Sequence, residues 1–218
     1  MRLAKDGVPV VIHDATLRRT GLTSRQVAQM TAGELANVNV GSWFNRRHPP
    51  LAREEFEQQR VPALSDVFQF LRDRPGVIYV ELKIEGAASS SDLVRPVADV
   101  IIQSGFRARV VVVSFELRAV AAIKFLYPSI RTGALFAPQR WPNVSWRADS
   151  ILHAATYCGA DELLPHRVLA RPKLIEKARD RNLPVVVWTV DEQAWVARGT
   201  NLGVHALITN NPAQLLNV

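Results

Sequence analysis

Two charged residues at the end of an apolar run are the first candidates for chemistry. Glu81 and Lys83 lie in VIYVELKIEG, where side chains two positions apart on a strand point to the same face. A carboxylate and an ammonium placed together at a strand end could hold a cation and a phosphate oxygen. The same spacing fits a structural ion pair between neighbours equally well, so both interpretations stay open at this point.

A histidine and an aspartate end the apolar run GVPVVIHD near the start of the chain. His13 can exchange protons near neutral pH, which makes it a candidate for acid–base chemistry. The competing interpretation is an ordinary packed or exposed histidine after a strand, which is the commoner case. The pair His13-Asp14 therefore stays a candidate on these grounds alone.

The other candidates have weaker patterns. His48 lies in the polar loop RRHPP and His153 in a helical stretch. His166 and His205 lie near strand ends, without carboxylates at the fixed spacing of a metal motif. Trp188 closes the run PVVVWTV and belongs either to the core or to the wall of a site.

The elements that must position these residues alternate along the chain. After residue 60, β-branched runs alternate with amphipathic helical patterns, which is typical of βα units around a parallel sheet. Strands are predicted at residues 77–82, 110–115, 131–136, 160–164, 184–189 and 204–209. Residues 15–62 break this rhythm and indicate short helical turns and polar loop, as in a small helical cap inserted above a barrel.

The chain opens with a hairpin signal. Asp6-Gly7 in AKDGVPVV predicts a two-residue type I′ turn, and strands must flank it on both sides. The first of these strands can only be residues 1–5. Together with the six strands after residue 60, it falls short of the eight that close a (β/α)₈ barrel. We therefore expect the chain to open inside a barrel strand.

Composition limits the classes of function. The 218 residues, 48% of them hydrophobic, can form one domain over residues 1–218 with a sizeable core. The net charge of +7 comes from scattered Lys and Arg without interleaved aromatic residues, which indicates a solvated basic surface and not nucleic-acid binding. The single cysteine, Cys158, excludes an internal disulfide and a cysteine-based zinc site. No run reaches the ~18 apolar residues of a transmembrane segment.

Taken together, these motifs resemble the glycerophosphodiester phosphodiesterase family over nearly the whole chain. RLAKDGVPVVIHDATLRRTG resembles the family's DG turn and catalytic HD motif, and YVELKIEG resembles its E-x-K strand. MTAGELANVNVGSWF, RVPALSDVFQFL, VVVVSF, VVVWTVDE and GVHALITNNPAQLL match further motifs in the same order. The resemblance implies an α/β fold, a TIM (β/α)₈ barrel of the phospholipase C-like phosphodiesterase type.

The resemblance also implies an activity and roles for single residues. Members of the family use a divalent cation, calcium or magnesium, and two histidines to cleave glycerophosphodiesters into glycerol 3-phosphate and an alcohol. By matching position, His13 would be one of the acid–base pair, Glu81 a metal ligand and Lys83 a phosphate-binding cation. Trp188 would line the substrate pocket. The alcohol, the preferred metal and the oligomeric state stay open.

The resemblance further predicts a missing segment. The family begins with a His-Arg-Gly strand, a Pro-Glu-Asn-Thr helix and a Glu-x-Asp strand, and Met1 follows the expected position of the last motif. The expected barrel lacks its first strand and helix and part of its second strand. We therefore expect low stability and weak or no activity. A signal peptide could lie in such a segment, so the compartment stays open, with the cytoplasm as the default.

Two alternatives remain beside this hypothesis. The first is a non-catalytic phosphate-binding module or a remnant barrel fragment, which would bind without turnover. The second is a related barrel phosphodiesterase that acts on lysophospholipids or sphingolipids. Retention of His13, Glu81 and Lys83 together favours the enzyme, since a decaying site has no physical reason to keep them.

Overall fold

The computed structural model describes residues 1–84, 90–138 and 146–216. It forms two compact units, Met1–Val110 and Val111–Val218. The prediction of one domain over residues 1–218 stays a prediction. Among the helices in the described ranges, none has both the length and the apolar character needed to cross a membrane.

The strands are β1 (Arg2–Leu3), β2 (Pro9–Val10), β3 (Ile78–Leu82), β4 (Val110–Ser114), β5 (Arg131–Phe136), β6 (Glu162–Pro165), β7 (Val186–Val187) and β8 (Ala206–Leu207). The α-helices are α1 (Ala32–Leu35), α2 (Ser42–Arg47), α3 (Glu54–Glu57), α4 (Leu64–Phe70), α5 (Ser90–Ser104), α6 (Leu117–Leu126), α7 (Ala148–Tyr157), α8 (Pro172–Arg179), α9 (Ala194–Leu202) and α10 (Pro212–Leu216). All six strands predicted after residue 60 are present. The last residues of the motif YVELKIEG, 85 and 86, lie outside the described residues.

The first unit opens with the expected hairpin, although its turn is of another type. β1 and β2 pair antiparallel, with Arg2 opposite Val10. A type I′ turn needs positive φ at two consecutive residues, whereas in this loop Gly7, with φ of 80°, is the left-handed residue. The amide of Gly7 donates to Ala4, and that of Ala4 to Val8, so the loop is longer than two residues. The prediction of a type I′ turn is therefore wrong.

The cap that follows β2 consists of short helices, as its sequence predicts. Thr31 begins α1 with a capping box, in which its hydroxyl accepts from the Glu34 amide while the Glu34 carboxylate accepts from the Thr31 amide. Asp6 of the hairpin loop also accepts from the amide of Ala32. Beneath the cap lies a small apolar core formed by Ala4, Val10, Leu17, Val27, Met30, Leu35 and Val61. The hairpin and the cap therefore pack as one structure.

The second unit is built from parallel strands. β4 pairs with β5 and β5 with β6, both in parallel, and β7 pairs with β8 in parallel. Isolated bridges join Leu163 to Val185 and His166 to Trp188 in the same register, which continues the order from β6 to β7. β4, β5 and β6 are almost wholly buried because helices cover parallel sheets, and this explains their near-continuous apolar sequences.

Candidate functional site

His13 follows β2 by three residues and is 66% exposed. Its Nδ1 lies 2.7 Å from Oδ1 of Asp14, and since a carboxylate can only accept, Nδ1 carries the proton. Its Nε2 lies 2.9 Å from Nζ of Lys83, and since an ammonium can only donate, Nε2 accepts. These contacts assign a neutral imidazole whose Nε2 can take up a proton.

Lys83 joins His13 to the end of β3. Its Nζ lies 2.7 Å from Oε1 of Glu81, and its side chain is only 8% exposed. Oε1 of Glu81 is itself shielded from solvent, and apart from the ion pair with Lys83 it has no donor among the described residues in hydrogen-bonding geometry. Because a buried carboxylate oxygen is costly unless it is fully paired, this atom can accept a further cation or donor.

Arg19 of the cap holds Asp14 in place. Its Nε donates to Oδ2 of Asp14 at 2.7 Å, and its guanidinium lies 5.2 Å from the ring centroid of Trp43. This hydrogen bond is the main cause that lowers the pKa of Asp14 to about 2, and the contact with His13 adds to it against the opposing effect of burial. Asp14 therefore stays ionised through the neutral and mildly acidic range and orients His13.

Backbone contacts fix the strands that carry the site. The amide of Lys83 donates to the carbonyl of Met1 at 3.0 Å, and the nitrogen of Met1 donates to the carbonyl of Glu81. Nε of Arg2 donates to the carbonyl of His13 at 2.9 Å. Residues 1 and 2 thus lie between the end of β3 and the loop after β2, which brings together side chains that are 70 positions apart.

The residues present fit a divalent cation that has Glu81 as its one carboxylate ligand from the protein. Calcium and magnesium bind oxygen ligands, and Oε1 of Glu81 supplies one. Within the described ranges, no group of three or more His, Cys, Asp or Glu side chains is placed to hold a metal ion. The described residues therefore fit a cation held by a single carboxylate together with oxygens of substrate phosphate and water, which is a common arrangement for magnesium.

Trp188 lies in the second unit, directly after β7. Its indole Nε1 donates to the carbonyl of Leu164 at 2.8 Å, which fixes the ring. Phe115 and His166 meet it at centroid distances of 5.4 and 5.1 Å, with both rings close to perpendicular to the indole. Burial is the main cause that lowers the pKa of His166. The three rings follow the carboxyl ends of parallel strands, where ligands bind in barrels of this class.

Sequence reasoning found three residues that the structure brings into direct contact, namely His13, Glu81 and Lys83. Trp188 belongs to the second unit. The functional roles of all four residues stay predictions. Arg19 was missed as a site residue. The available signal was its position five residues after Asp14 in HDATLRR, but spacing of this kind in a loop does not predict a contact.

Comparisons with known proteins agree with the resemblance. The profile of the glycerophosphoryl diester phosphodiesterase family matches residues 1–214. A glycerophosphodiester phosphodiesterase of Caldanaerobacter subterraneus subsp. tengcongensis is 28% identical over 218 residues, which cover 100% of this chain and 83% of the relative. One from Bacillus subtilis is 25% identical over 97% of this chain and 72% of its own length.

Solved structures agree with the fold. A glycerophosphodiester phosphodiesterase from Agrobacterium tumefaciens matches with a TM-score of 0.76 and 25% identity, covering 100% of this chain and 84% of that one. An Oleispira antarctica phosphodiesterase in complex with the product sn-glycerol-3-phosphate matches with a TM-score of 0.82 and 20% identity over 99% of this chain and 81% of that one. The predicted TIM-barrel fold class is thereby confirmed, and the chain belongs to the glycerophosphoryl diester phosphodiesterase family.

Proposed function

We propose that this protein hydrolyses glycerophosphodiesters to glycerol 3-phosphate and an alcohol. The observation that carries the proposal is the position of the Lys83 ammonium, 2.9 Å from Nε2 of His13 and 2.7 Å from Oε1 of Glu81. A cation, a proton acceptor and a carboxylate thus meet at one strand end. The cation can stabilise the negative charge of a phosphodiester, and the proton acceptor can transfer the proton during cleavage.

His13 would act on the proton at the reacting oxygen. Its Nε2 is the acceptor atom in the free site, and the ionised Asp14 holds Nδ1–H so that the ring keeps this tautomer. When the substrate phosphate arrives, Lys83 can direct an N–H to a phosphate oxygen. This step releases Nε2 to take a proton from an attacking water, whose oxygen forms the new bond to phosphorus, and the imidazolium so formed can give a proton to the oxygen of the departing alcohol.

A divalent cation is the cofactor that the family resemblance predicts, and Glu81 is the residue that would hold it here. When bound, the ion neutralises charge on the phosphate oxygens. The single carboxylate oxygen favours magnesium over calcium, because calcium takes 6–8 oxygen ligands and relies more on the protein for them. Calcium-supported turnover that exceeds magnesium-supported turnover would count against this preference.

We expect slow turnover by the 218-residue chain. The family resemblance predicts two histidines for proton transfer, whereas in the described residues His13 is the histidine that contacts Lys83. General acid–base catalysis by one positioned group contributes typically about 10²–10⁴-fold, so turnover that relies on His13 alone would be slower by a factor of that size than turnover with two such histidines.

The test is release of glycerol 3-phosphate from glycerophosphocholine by the purified full chain, with magnesium, with calcium and with EDTA. The relative from Caldanaerobacter, assayed in parallel, sets the rate expected of a family member. Slow release that is lost in Lys83→Met supports the proposal. Saturable binding of glycerol 3-phosphate without any release, measured by calorimetry, would favour the non-catalytic module. Release of an alcohol from lysophosphatidylcholine alone would favour the lipid-specific alternative.

A further inference from the structure

The cap carries a local excess of positive charge that the candidate site does not use. Residues 15–53 contain six arginines and a single carboxylate, Glu34, and residues 35–53 contain three arginines and no carboxylate. Arg19 and Arg25 are paired, with Asp14 and with Glu34. Arg18, Arg46 and Arg47 are exposed, and within the described ranges they have no ion pair.

Two of these unpaired arginines stand beside an exposed apolar turn. Arg46 and Arg47 end α2, and a 3-10 turn, Pro49–Leu51, follows. Both prolines are exposed, and Leu51 is 62% exposed. We name residues 46–51 (RRHPPL) the cap tip. It presents two cations followed by an exposed apolar turn.

The structure holds the cap tip in one conformation. Nδ2 of Asn45 donates to the carbonyl of Arg53 at 2.8 Å, and the Arg53 amide donates back to Oδ1 of Asn45 at 3.1 Å, so two hydrogen bonds close the loop at its base. Inside the loop, the ring of Phe44 contacts those of His48 and Phe56 at centroid distances of 4.7 and 5.5 Å. Leu51 is therefore exposed in a loop whose base is closed by two hydrogen bonds.

We propose that the cap tip docks the protein on the surface of an anionic lipid bilayer. Arginines near such a surface are attracted by its negative potential, and an exposed leucine in the turn that follows them can enter the boundary between headgroups and acyl chains. A single-stranded nucleic acid fits the cap tip less well. It needs exposed aromatic faces for stacking, whereas Trp43 and Phe44 are half-buried and contact one another at 6.0 Å.

Three carboxylates set a limit on this surface. Glu54, Glu55 and Glu57 form most of α3, directly after the loop, and they are exposed. A negative bilayer repels them, so they restrict the attractive surface to the cap tip. Their removal should therefore strengthen binding, which gives the proposal a variant with the opposite sign.

The experiment is cosedimentation of the full chain with vesicles of phosphatidylcholine alone and of phosphatidylcholine mixed equally with phosphatidylglycerol. We expect binding to the mixed vesicles only, and its loss in about 0.5 M NaCl, where the Debye length is only a few ångströms. The double variant Arg46→Gln/Arg47→Gln should weaken partitioning by about fivefold for each arginine removed. Leu51→Ser should weaken it by about tenfold at low salt.

Matched variants separate the contribution of the cap tip to vesicle binding from the contribution of the protein's total charge. Arg179→Gln/Arg181→Gln removes the same charge from the second unit, where both side chains are exposed, and should leave binding unchanged. Glu54→Gln/Glu55→Gln should increase it. Equal binding to both kinds of vesicle, or equal losses in the two arginine variants, would overturn the proposal. So would an unchanged Leu51→Ser variant whose vesicle binding is displaced by DNA, because that result indicates a general polyanion surface.

Discussion

Two ionic clusters in this molecule contain similar groups but differ in how fully those groups are paired. The site cluster lies in the first unit, after β2 and β3, and consists of His13, Asp14, Arg19, Glu81 and Lys83. It leaves His13 66% exposed, and one buried oxygen of Glu81 has the ion pair with Lys83 but no donor among the described residues in hydrogen-bonding geometry. Such incomplete pairing is typical of a site that binds a ligand.

The second cluster, which we call the base cluster, consists of Lys124, Thr132 and Asp161 in the second unit. Lys124 Nζ lies 2.8 Å from both carboxylate oxygens of Asp161. The amide and the hydroxyl of Thr132 donate to the same carboxylate at 2.8 and 3.2 Å. Thr132 is the second residue of β5 and Asp161 directly precedes β6, so the base cluster lies at the amino ends of these strands.

The two clusters lie at opposite ends of their strands, and the two ends have different functions. The site cluster lies at a carboxyl strand end and keeps groups available, whereas the base cluster lies at amino strand ends and satisfies every oxygen of its carboxylate. In barrels of this class, the first end carries catalysis and the second stability. Variants in the two clusters should therefore separate activity from stability.

The largest expected effect is on activity and comes from the site cluster. His13→Ala should lower kcat by about 10²–10⁴-fold, since it removes the group that transfers the proton. The urea midpoint should stay unchanged because the side chain is 66% exposed. Steady-state kinetics and urea unfolding measure the two quantities on the same sample. A variant that loses stability and activity together would abolish the distinction between the clusters.

The next effect is on stability and comes from the base cluster. Asp161→Ala should lower the free energy of unfolding by about 1–3 kcal/mol, because it removes the acceptor of the buried Thr132 amide and the ion-pair partner of Lys124, while the Thr132 hydroxyl keeps the carbonyl of Gly159. The kcat of the folded protein should not change. Asp149→Ala, which breaks an exposed ion pair with Lys177, is the matched control and should have a small effect.

A smaller effect on activity should come from Arg19, which acts through Asp14. Arg19→Gln should lower kcat/KM by about tenfold, as loss of a group that orients a catalytic residue typically does. Arg19→Lys should restore part of the loss, because an ammonium can still donate one hydrogen bond to Asp14 but cannot reproduce the planar contact with Trp43. If the lysine and glutamine variants had equal kinetics, the role assigned to the hydrogen bond would be wrong.

The sequence predicted the strands better than the loops and the long-range contacts. Runs such as VVVVS and RTGALF identify β4 and β5, since a strand buried on both faces is apolar throughout. Glu81 and Lys83 were found because a strand alternates with a fixed period of two. The contact of Arg19 and the type of the turn at Gly7 were not predicted correctly, because loop conformations depend on tertiary packing and no short period encodes them. His13 and Lys83 are 70 positions apart, and the family resemblance placed both in one site but did not predict their direct contact.

The smallest expected effect is a pH dependence of stability that originates in Asp14. Its pKa is about 2 in the folded protein against an ordinary value of 3.8. Because the folded-state value is the lower one, the stabilisation is present above about pH 4 and is lost as the pH falls towards 2. With the side chain 27% exposed, we expect about 1 kcal/mol. Arg19→Gln should therefore lose less stability than the wild type between neutral pH and about pH 2.5, as measured by urea unfolding. Since both proteins keep every other carboxylate, equal losses would mean that Arg19 does not hold Asp14 in its ionised form.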